Sequence, residues 1–596
     1  MKKISTLWCI VVLFSLTMNA QFIKTDGMSE MATQTSMQNH QNRTAKADIG
    51  SQSSGLADTM YASDNASYAA SSFVTTWTTT MPNETITIPT IGSGYNYSVD
   101  WGDGSSSSFM SDASHTYLLP GTYTVEISGD FPRIYFNNGP ERLKISSIEQ
   151  WGTYPWTSMN AAFAGCEKLV SNAMDMPNLS MVTDMYGMFA FARKFNGDAQ
   201  MDNWNVENVT DMSRMFAGAS VFNHNINDWN VSNVTNMSEM FFGATKFEQN
   251  LGAWNVGNVT NMESMFRTCM NFNGAISNWN VANVTNMEAM FAHANRFNQD
   301  LGNWNVSNVT NMHGMFGYAR EFNQNLNNWN VSNVTDMIGM FAGASVFNGN
   351  ISSWDVSNVT NMRNMFYGAT KFSGDLSSWN VGNVTSMSGT FRTAMNFNSN
   401  ISNWNVSQVK NMDYMFYHAN RFDQNLGNWN VSKVVTMRSM FTNVKLSVDN
   451  YDALLIGWNS RPLKNNIKFN GGKSQYCAGA AARQNIIDTH NWTITDQGLF
   501  CAPITGDRAN VGGNESLSGI SVYPNPVRSQ LTIANISEQR LESASIYDLA
   551  GRLIKTVDLS TMGYEGSVDF SDLSRATYML VINGENGQTS SLIVKE

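Results

Sequence analysis

Apolar residues return along the middle of the chain at one spacing. Tryptophan stands at Trp204, Trp229, Trp254, Trp279, Trp304, Trp329, Trp354, Trp379, Trp404 and Trp429, every 25 residues without a slip. A fixed period of this length means one structural unit stacked on itself, so a solenoid is expected. The unit from Leu301 to Asn325 shows the pattern. Leu301, Trp304 and Val306 are spaced as a short strand, and Thr310 or Asn311 is placed to cap a helix. Met312, Met315, Phe316 and Ala319 then fall at i, i+3, i+4 and i+7, which puts them on one helical face. Phe322 closes the unit and Leu326 opens the next. Such a unit has an apolar face that only its neighbours cover. Ten units at about 4.8 Å per strand predict a sheet roughly 48 Å long.

Outside the repeats the period changes. Thr85–Ile88, Tyr95–Val99 and Thr122–Ile127 read as strands, with Asp103-Gly104 and Pro120-Gly121 as turns. The last 78 residues again alternate short apolar runs with turns, as in Leu531–Ile533 and Tyr578–Ile582. The expected organisation is a multidomain chain. Residues 1–20 read as a signal peptide, with Lys2 and Lys3 before an apolar run from Leu7 to Leu16. Residues 21–70 read as a disordered leader rich in Ser, Thr and Gln. A β-sandwich-like domain (71–145), an α/β solenoid (146–440) and a cap over its last open face (441–503) follow. A linker (504–518) then leads to a C-terminal β-sandwich (519–596).

Composition narrows the function. The 596 residues are 14% charged with a formal net charge of −11, which argues against nucleic acid or an anionic membrane as partner. Beyond the leader no run approaches the ~18 to 20 apolar residues of a membrane span. Cys477 and Cys501 enclose a segment outside the repeats and are expected to pair in an oxidising compartment. Cys166 and Cys269 each follow a repeat phenylalanine by three residues, in a column otherwise held by alanine, and are read as buried packing residues. Histidines such as His224, His293, His313 and His418 are scattered over variable positions, and His293 and His418 share a column but stand five repeats apart. No triad, phosphate loop or clustered metal ligands emerges, so no catalytic residue, cofactor or metal is assigned. A hydrolase hidden among the carboxylates is the remotest alternative.

Several motifs have a chemical reading and a packing one. Met-x-x-Met pairs such as Met212/Met215 are spaced for a thioether metal site, yet they also lie on the apolar face, and packing is the reading adopted. The tryptophans are read as an inward core ladder rather than an outward platform for sugars. Asn-Val-Thr, from Asn208-Val209-Thr210 to Asn383-Val384-Thr385, matches a glycosylation acceptor but is read as backbone-satisfying side chains at a turn. Asn205, Asn230, Asn255, Asn280, Asn305 and Asn330 lie between an inward Trp and an inward Val, so they are expected outside. They form the candidate binding face. Asp100 and Asp103 are turn formers or calcium ligands.

Three resemblances sharpen these expectations. The unit Trp-Asn-Val-Ser-Asn-Val-Thr-Asn-Met…Met-Phe…Ala…Phe-Asn, with the spacing of leucine-rich repeats, resembles the BspA-like leucine-rich-repeat surface proteins over residues 150–500. Trp101-Gly102-Asp103-Gly104 with His115-Thr116-Tyr117 and Pro120-Gly121-Thr122-Tyr123 resembles a PKD-type β-sandwich. Tyr523-Pro524-Asn525-Pro526, Asp548…Gly551-Arg552 and the terminal Ile593–Glu596 resemble the C-terminal sorting domain of the type IX secretion system. The resemblances imply export through periplasm and outer membrane, the secretion machinery as one partner, and a secreted or cell-surface protein associated with adhesion. The other expected partner is a host or matrix protein or a polysaccharide. A carbohydrate-binding role or a structural matrix or coat role is the alternative.

Overall fold

The computed structural model describes residues 68–501, 515–517, 519–535, 539–548, 552–585 and 587–596. The expected signal peptide, nearly all of the leader and most of the linker lie outside the described residues.

Short alternating runs form the strands that open the described chain. They are β1 (Phe73–Thr79), β2 (Glu84–Ile88), β3 (Asn96–Asp100), β4 (Ser106–Phe109), β5 (Ala113–Tyr117), β6 (Gly121–Asp130) and β7 (Ile145–Gln150). With β8 (Val170–Ser171), a six-stranded sheet has the order β4-β3-β6-β1-β7-β8, while β2 pairs with β5 alone. Trp77, Tyr97, Trp101 and Tyr117 are buried between them. Asp103 faces the solvent at the turn after β3, where Gly102 adopts a left-handed φ of 72° and has no room for a Cβ. β7 pairs antiparallel with β1 and parallel with β8, which lies in the first degenerate repeat. One apolar core therefore runs from Phe73 to Ile494. The division expected between residues 145 and 146 falls on the first residues of β7, so sheet and core both pass through it.

The repeats stack in register. Parallel bridges join Asp211, Asn236, Asn261, Asn286 and Asn311 in succession and continue to Thr436, one contact per coil. The α/β unit expected from the sequence is corrected here. Leu301–Val306 is not a strand: the Trp304 N–H closes a turn on the Leu301 carbonyl at 3.0 Å, and the Val309 N–H closes another on Val306 at 2.9 Å. The segment read as a helix, Met312–Ala319, is not one either, and it carries the contacts between coils. Met312, Gly314, Phe316 and Tyr318 donate N–H groups to Asp336, Ile338, Met340 and Ala342 of the next coil at 2.5 to 3.1 Å. Met315, Gly317 and Ala319 donate instead to carbonyls three residues back.

The physical reason lies in two left-handed columns four residues apart. One runs from Arg214 (φ 58°) through Ala289 (52°) and Gly314 (62°) to Ser439 (52°), and the other from Gly218 (71°) through Tyr318 (59°) to Asn443 (64°). A residue at positive φ cannot continue a right-handed helix. It turns every second N–H out of the coil toward its neighbour, while side chains at i, i+3, i+4 and i+7 still point inward. Helical spacing is thus preserved without a helix. Non-glycine residues in these columns each hold a costly conformation, on the order of 1 kcal/mol, which the surrounding hydrogen bonds stabilise.

The last coil is covered by a segment of different character. Helices α1 (Val448–Asn459) and α2 (Ala480–His490) alternate with β9 (Lys468–Asn470) and β10 (Thr493–Thr495), which pair in parallel. Ser447 caps α1 by accepting the Asn450 N–H. Tyr451, Leu454, Trp458 and Phe469 join the stack's core. The C-terminal strands β11 (Glu515–Ser516), β12 (Ile520–Tyr523), β13 (Gln530–Asn535), β14 (Leu541–Asp548), β15 (Leu553–Asp558), β16 (Glu565–Asp569), β17 (Thr577–Gly584) and β18 (Gly587–Val594) form two sheets. Their orders are β11-β18-β17-β14-β15 and β12-β13-β16. Leu531, Ile533 and Val568 from one and Ile546, Leu580 and Ile593 from the other share a core separate from that of the repeats.

Candidate functional site

The tryptophan column is interior. Trp204 to Trp429 are at most 3% exposed, and neighbouring rings such as Trp279 and Trp304 stack with centroids 6.2 Å apart. From Trp229 onward each indole N–H reaches back to the carbonyl of the previous coil's opening apolar residue, as Trp329 does to Leu301 at 2.8 Å. Trp204 opens the series, and its indole nitrogen is buried without a partner. A leucine in this column would fill space but leave that bridge unmade. The paired methionines are buried beside it, and Thr390, which interrupts their column, donates its hydroxyl to the Met362 and Met387 carbonyls at 3.0 and 2.9 Å.

The Asn205, Asn230, Asn255, Asn280, Asn305 and Asn330 column is exposed. It lies on turns rather than on a sheet. Each side-chain carbonyl accepts the N–H two residues on, as Asn305 does from Ser307 at 3.2 Å and Asn330 from Ser332 at 3.1 Å. Half of each amide is therefore committed to its own turn. The Asn of Asn-Val-Thr does a different job: Asn308 donates to the Ala282 carbonyl at 2.8 Å and Asn333 to Ser307 at 2.8 Å, and so along the stack. The adjoining Thr310 hydroxyl donates to the Thr285 carbonyl at 3.3 Å. These columns tie coils together.

Cys477 and Cys501 are joined by a disulfide across a separation of 24 residues. Asp452 of α1 holds the first of them in place by accepting the N–H groups of Cys477, Ala478 and Gly479 at 2.8 to 2.9 Å. Reduction is expected to loosen the cap by roughly 3 kcal/mol through loop entropy, leaving the distant repeats intact. Hydrogen exchange with and without reductant checks this, and uniform deprotection of the repeats would contradict it. Cys166 and Cys269 are buried, with the Cys269 thiol donating to the Phe241 carbonyl at 2.8 Å. Burial raises both thiols' pKa and keeps them protonated.

At the front turn, Asp100 accepts the Gly102 N–H at 2.9 Å. Asp103 accepts from Ser105 at 3.0 and 2.6 Å and sits 2.7 Å from the His115 ring nitrogen. Burial pushes its carboxyl upward, but the hydrogen bonds from Ser105 and His115 prevail and hold it below the usual carboxylate value. This is turn-forming chemistry. Among the described residues no three His, Cys, Asp or Glu side chains are grouped to hold a metal ion.

In the C-terminal domain, Tyr523-Pro524-Asn525-Pro526 begins on the last residue of β12 and acts as a clasp. Asn525 bonds the β18 backbone twice, at Leu592 (2.7 Å) and Val594 (2.8 Å), and the Tyr523 hydroxyl donates to Glu565 at 2.8 Å. Asp548 holds Arg552 through its N–H at 2.9 Å and its guanidinium at 2.7 Å. Gly551 lies outside the described residues.

The sequence reading missed the outward face of the inter-coil ladder. Its side chains come from the positions beside and within the left-handed columns, where the repeat has no consensus. Placed coil by coil, they reveal a second period of five coils. The run Arg267-Thr268…Met270-Asn271-Phe272-Asn273 returns as Arg392-Thr393…Met395-Asn396-Phe397-Asn398, and His293-Ala294-Asn295-Arg296-Phe297 returns as His418-Ala419-Asn420-Arg421-Phe422. Geometry repeats as well. Phe191 lies where a Cβ on Gly218 would stand, and Tyr318 does the same over Gly343. Self-comparison at 125 residues, rather than at 25, is the signal that finds it.

These features define an exported repeat protein: a stack of similar coils with a β sheet joined to its first coil and a helical cap on its last, followed by a separate β domain that carries a sorting motif. Comparison with known families agrees. Segments 157–270, 244–353 and 339–453 match the family described as a Mycoplasma protein of unknown function, DUF285. Residues 521–596 match the secretion system C-terminal sorting domain. No curated protein matches the chain. The sorting domain marks the protein for type IX secretion to the cell surface or the medium. Among the described residues no helix is long and apolar enough to cross a membrane.

Proposed function

We propose that this is a non-enzymatic surface or secreted protein that mediates adhesion, binding a host or matrix ligand along the repeat stack, with the front β domain as a PKD-type spacer. The observation that carries the reading is the pairing of an export domain with a rigid array. Each coil is fixed to the next by backbone, Asn and Trp hydrogen bonds, so the outward side chains stand in set positions one coil apart, with the Trp279 and Trp304 rings beside the Asn column 6.2 Å from one another. Many weak contacts on such an array give avidity without a deep pocket. The exposed Asn column offers its remaining amide hydrogens to such a ligand.

The experiment is an array of glycans and extracellular-matrix proteins probed with the full secreted protein, together with adhesion of cells lacking the gene. Selective capture of a matrix protein or glycan, and weaker adhesion of the deletion strain, is the expected result. Surface display with no ligand and unchanged adhesion would overturn the reading in favour of a structural coat.

A further inference from the structure

The five-coil duplication copies some outward positions and not others. On one side of the ladder face the two blocks differ: Ser238 corresponds to Arg363, Glu263 to Ser388 and Arg214 to Gly339. On the other side the chemistry is kept. Arg267 lies over the Phe242 ring at 5.7 Å, and Arg392 lies over the Tyr367 ring at 5.3 Å, each followed by a histidine in the next coil (His293, His418). The flanking exposed cations are kept too, as Lys246 and Lys371, Arg296 and Arg421, Arg193 and Arg320. Acidic residues are outnumbered along this strip: Glu167 and Glu321 lie on it, and Glu248 and Asp423 stand two residues from Lys246 and Arg421.

Neither guanidinium has a hydrogen bond or salt bridge among the described residues. Arg392 is also held by Tyr414 and Tyr417, at 5.3 and 5.2 Å, and its Nε is buried without a partner. A planar cation fixed against aromatic rings, with its terminal nitrogens uncommitted, is preorganised for a carboxylate or sulfate. Glu239, Glu263 and Glu288 flank the strip in the first block; burial, Glu288 and Glu239 raise Glu263, and Arg267 is near enough to oppose them. From Lys246 through Arg267 and Arg296 to Arg320, and again from Lys371 through Arg392 to Arg421, successive coils each carry one cation of the strip, which suits a single extended anionic chain lying lengthwise.

We propose that the stack holds two related sites for an acidic polysaccharide, one centred on Arg267 with Phe242 and the other, with the fuller aromatic cage, on Arg392 with Tyr367, Tyr414 and Tyr417. This rests on the adhesion reading and names its ligand class. Five coils place the sites about 24 Å apart along the ladder, so one polymer chain engages both. Linked engagement multiplies affinity by about 10² or more over a fragment that reaches only one.

The test uses the full secreted protein with polygalacturonate and chondroitin sulfate as acidic probes, dextran as the neutral one, single-stranded DNA as a polyanion control, and tetrasaccharides cut from the acidic polymers. Calorimetry is expected to give two tetrasaccharides per chain, one in either Arg267→Ala or Arg392→Ala, and none in the double variant. Polymer affinity is expected to fall at least tenfold in each single variant. Thermal melting monitors the fold. If the alanine variants melt early, Lys246→Glu and Lys371→Glu, at exposed positions, must produce the same stepwise loss. Equal binding of dextran, one site throughout, or a double variant that binds like the parent overturns the proposal, and preference for DNA assigns the strip to nucleic acid instead. A matrix protein captured equally by parent and double variant leaves adhesion standing while removing the polysaccharide sites.

Discussion

Ending the chain at Ser518 is expected to abolish its appearance at the cell surface and in the medium. The deleted residues supply all of two sheets except the short β11 and pack around a core separate from the repeats, so their loss takes no apolar contact from the repeats. What disappears is the sorting domain at 521–596. The repeat protein should therefore remain folded but accumulate in the periplasm. Fractionation with an antibody against the repeats reads the outcome directly, and surface exposure of the truncated chain would overturn the sorting role. In the full-length protein, removal of this domain by cleavage within 504–518 is the companion expectation. Mass spectrometry of the mature surface form decides it, because a product that still contains Tyr523 and Glu596 is uncleaved.

Trp304→Ala is expected to destabilise the stack by about 3 to 5 kcal/mol. The ring is 2% exposed, stacks on Trp279 at 6.2 Å and meets Phe291 at 6.3 Å, and its N–H reaches the Ile276 carbonyl at 3.2 Å. Truncation leaves a cavity in a continuous core and removes a bridge between coils. Trp304→Phe keeps most of the volume and should cost about 1 to 2 kcal/mol. Asn308→Ala, which loses the 2.8 Å bond to Ala282, should cost about 1 kcal/mol, and Asn305→Ala less, because its own bond lies within an exposed turn. Chemical denaturation ranks the four. Asn305→Ala as the most damaging would mean that the outer turns, and not the tryptophan column, hold the coils together. Because repeat stacks unfold by neighbouring units, fraying of the coils around residue 304 should precede global loss.

The type of local structure was the least legible feature. A helix and this chain of turns both bring Met312, Met315, Phe316 and Ala319 to one side, so apolar spacing alone does not separate them. The deciding fact is where each N–H goes. In a helix it stays within the segment, whereas here alternate N–H groups cross to a carbonyl 24 residues on. A local trace did exist in the glycines. Gly314, Gly339 and Gly389 stand in one left-handed column, and Gly218, Gly243, Gly343 and Gly368 in the other, at positions where a helix would not keep returning to glycine. Likewise, the Asn column was legible as outward, but its turn-forming bonds to Ser307 and Ser332 were not.

What the sequence determined by itself was the period, the side on which each residue lies, and the destination of the chain. Twenty-five-residue spacing leaves stacking as the solution that covers each unit's apolar face, and the strand-rich tail carries its sorting motif in the order of its residues. Tertiary structure alone decided which backbone groups pair between coils, that the front sheet runs through β7 into the first repeat, and that Arg267 and Arg392 each lie over an aromatic ring five coils apart. The reason is range. Side-chain polarity acts on burial and is written locally, whereas backbone pairing and surface clustering depend on which distant segments the stack brings side by side.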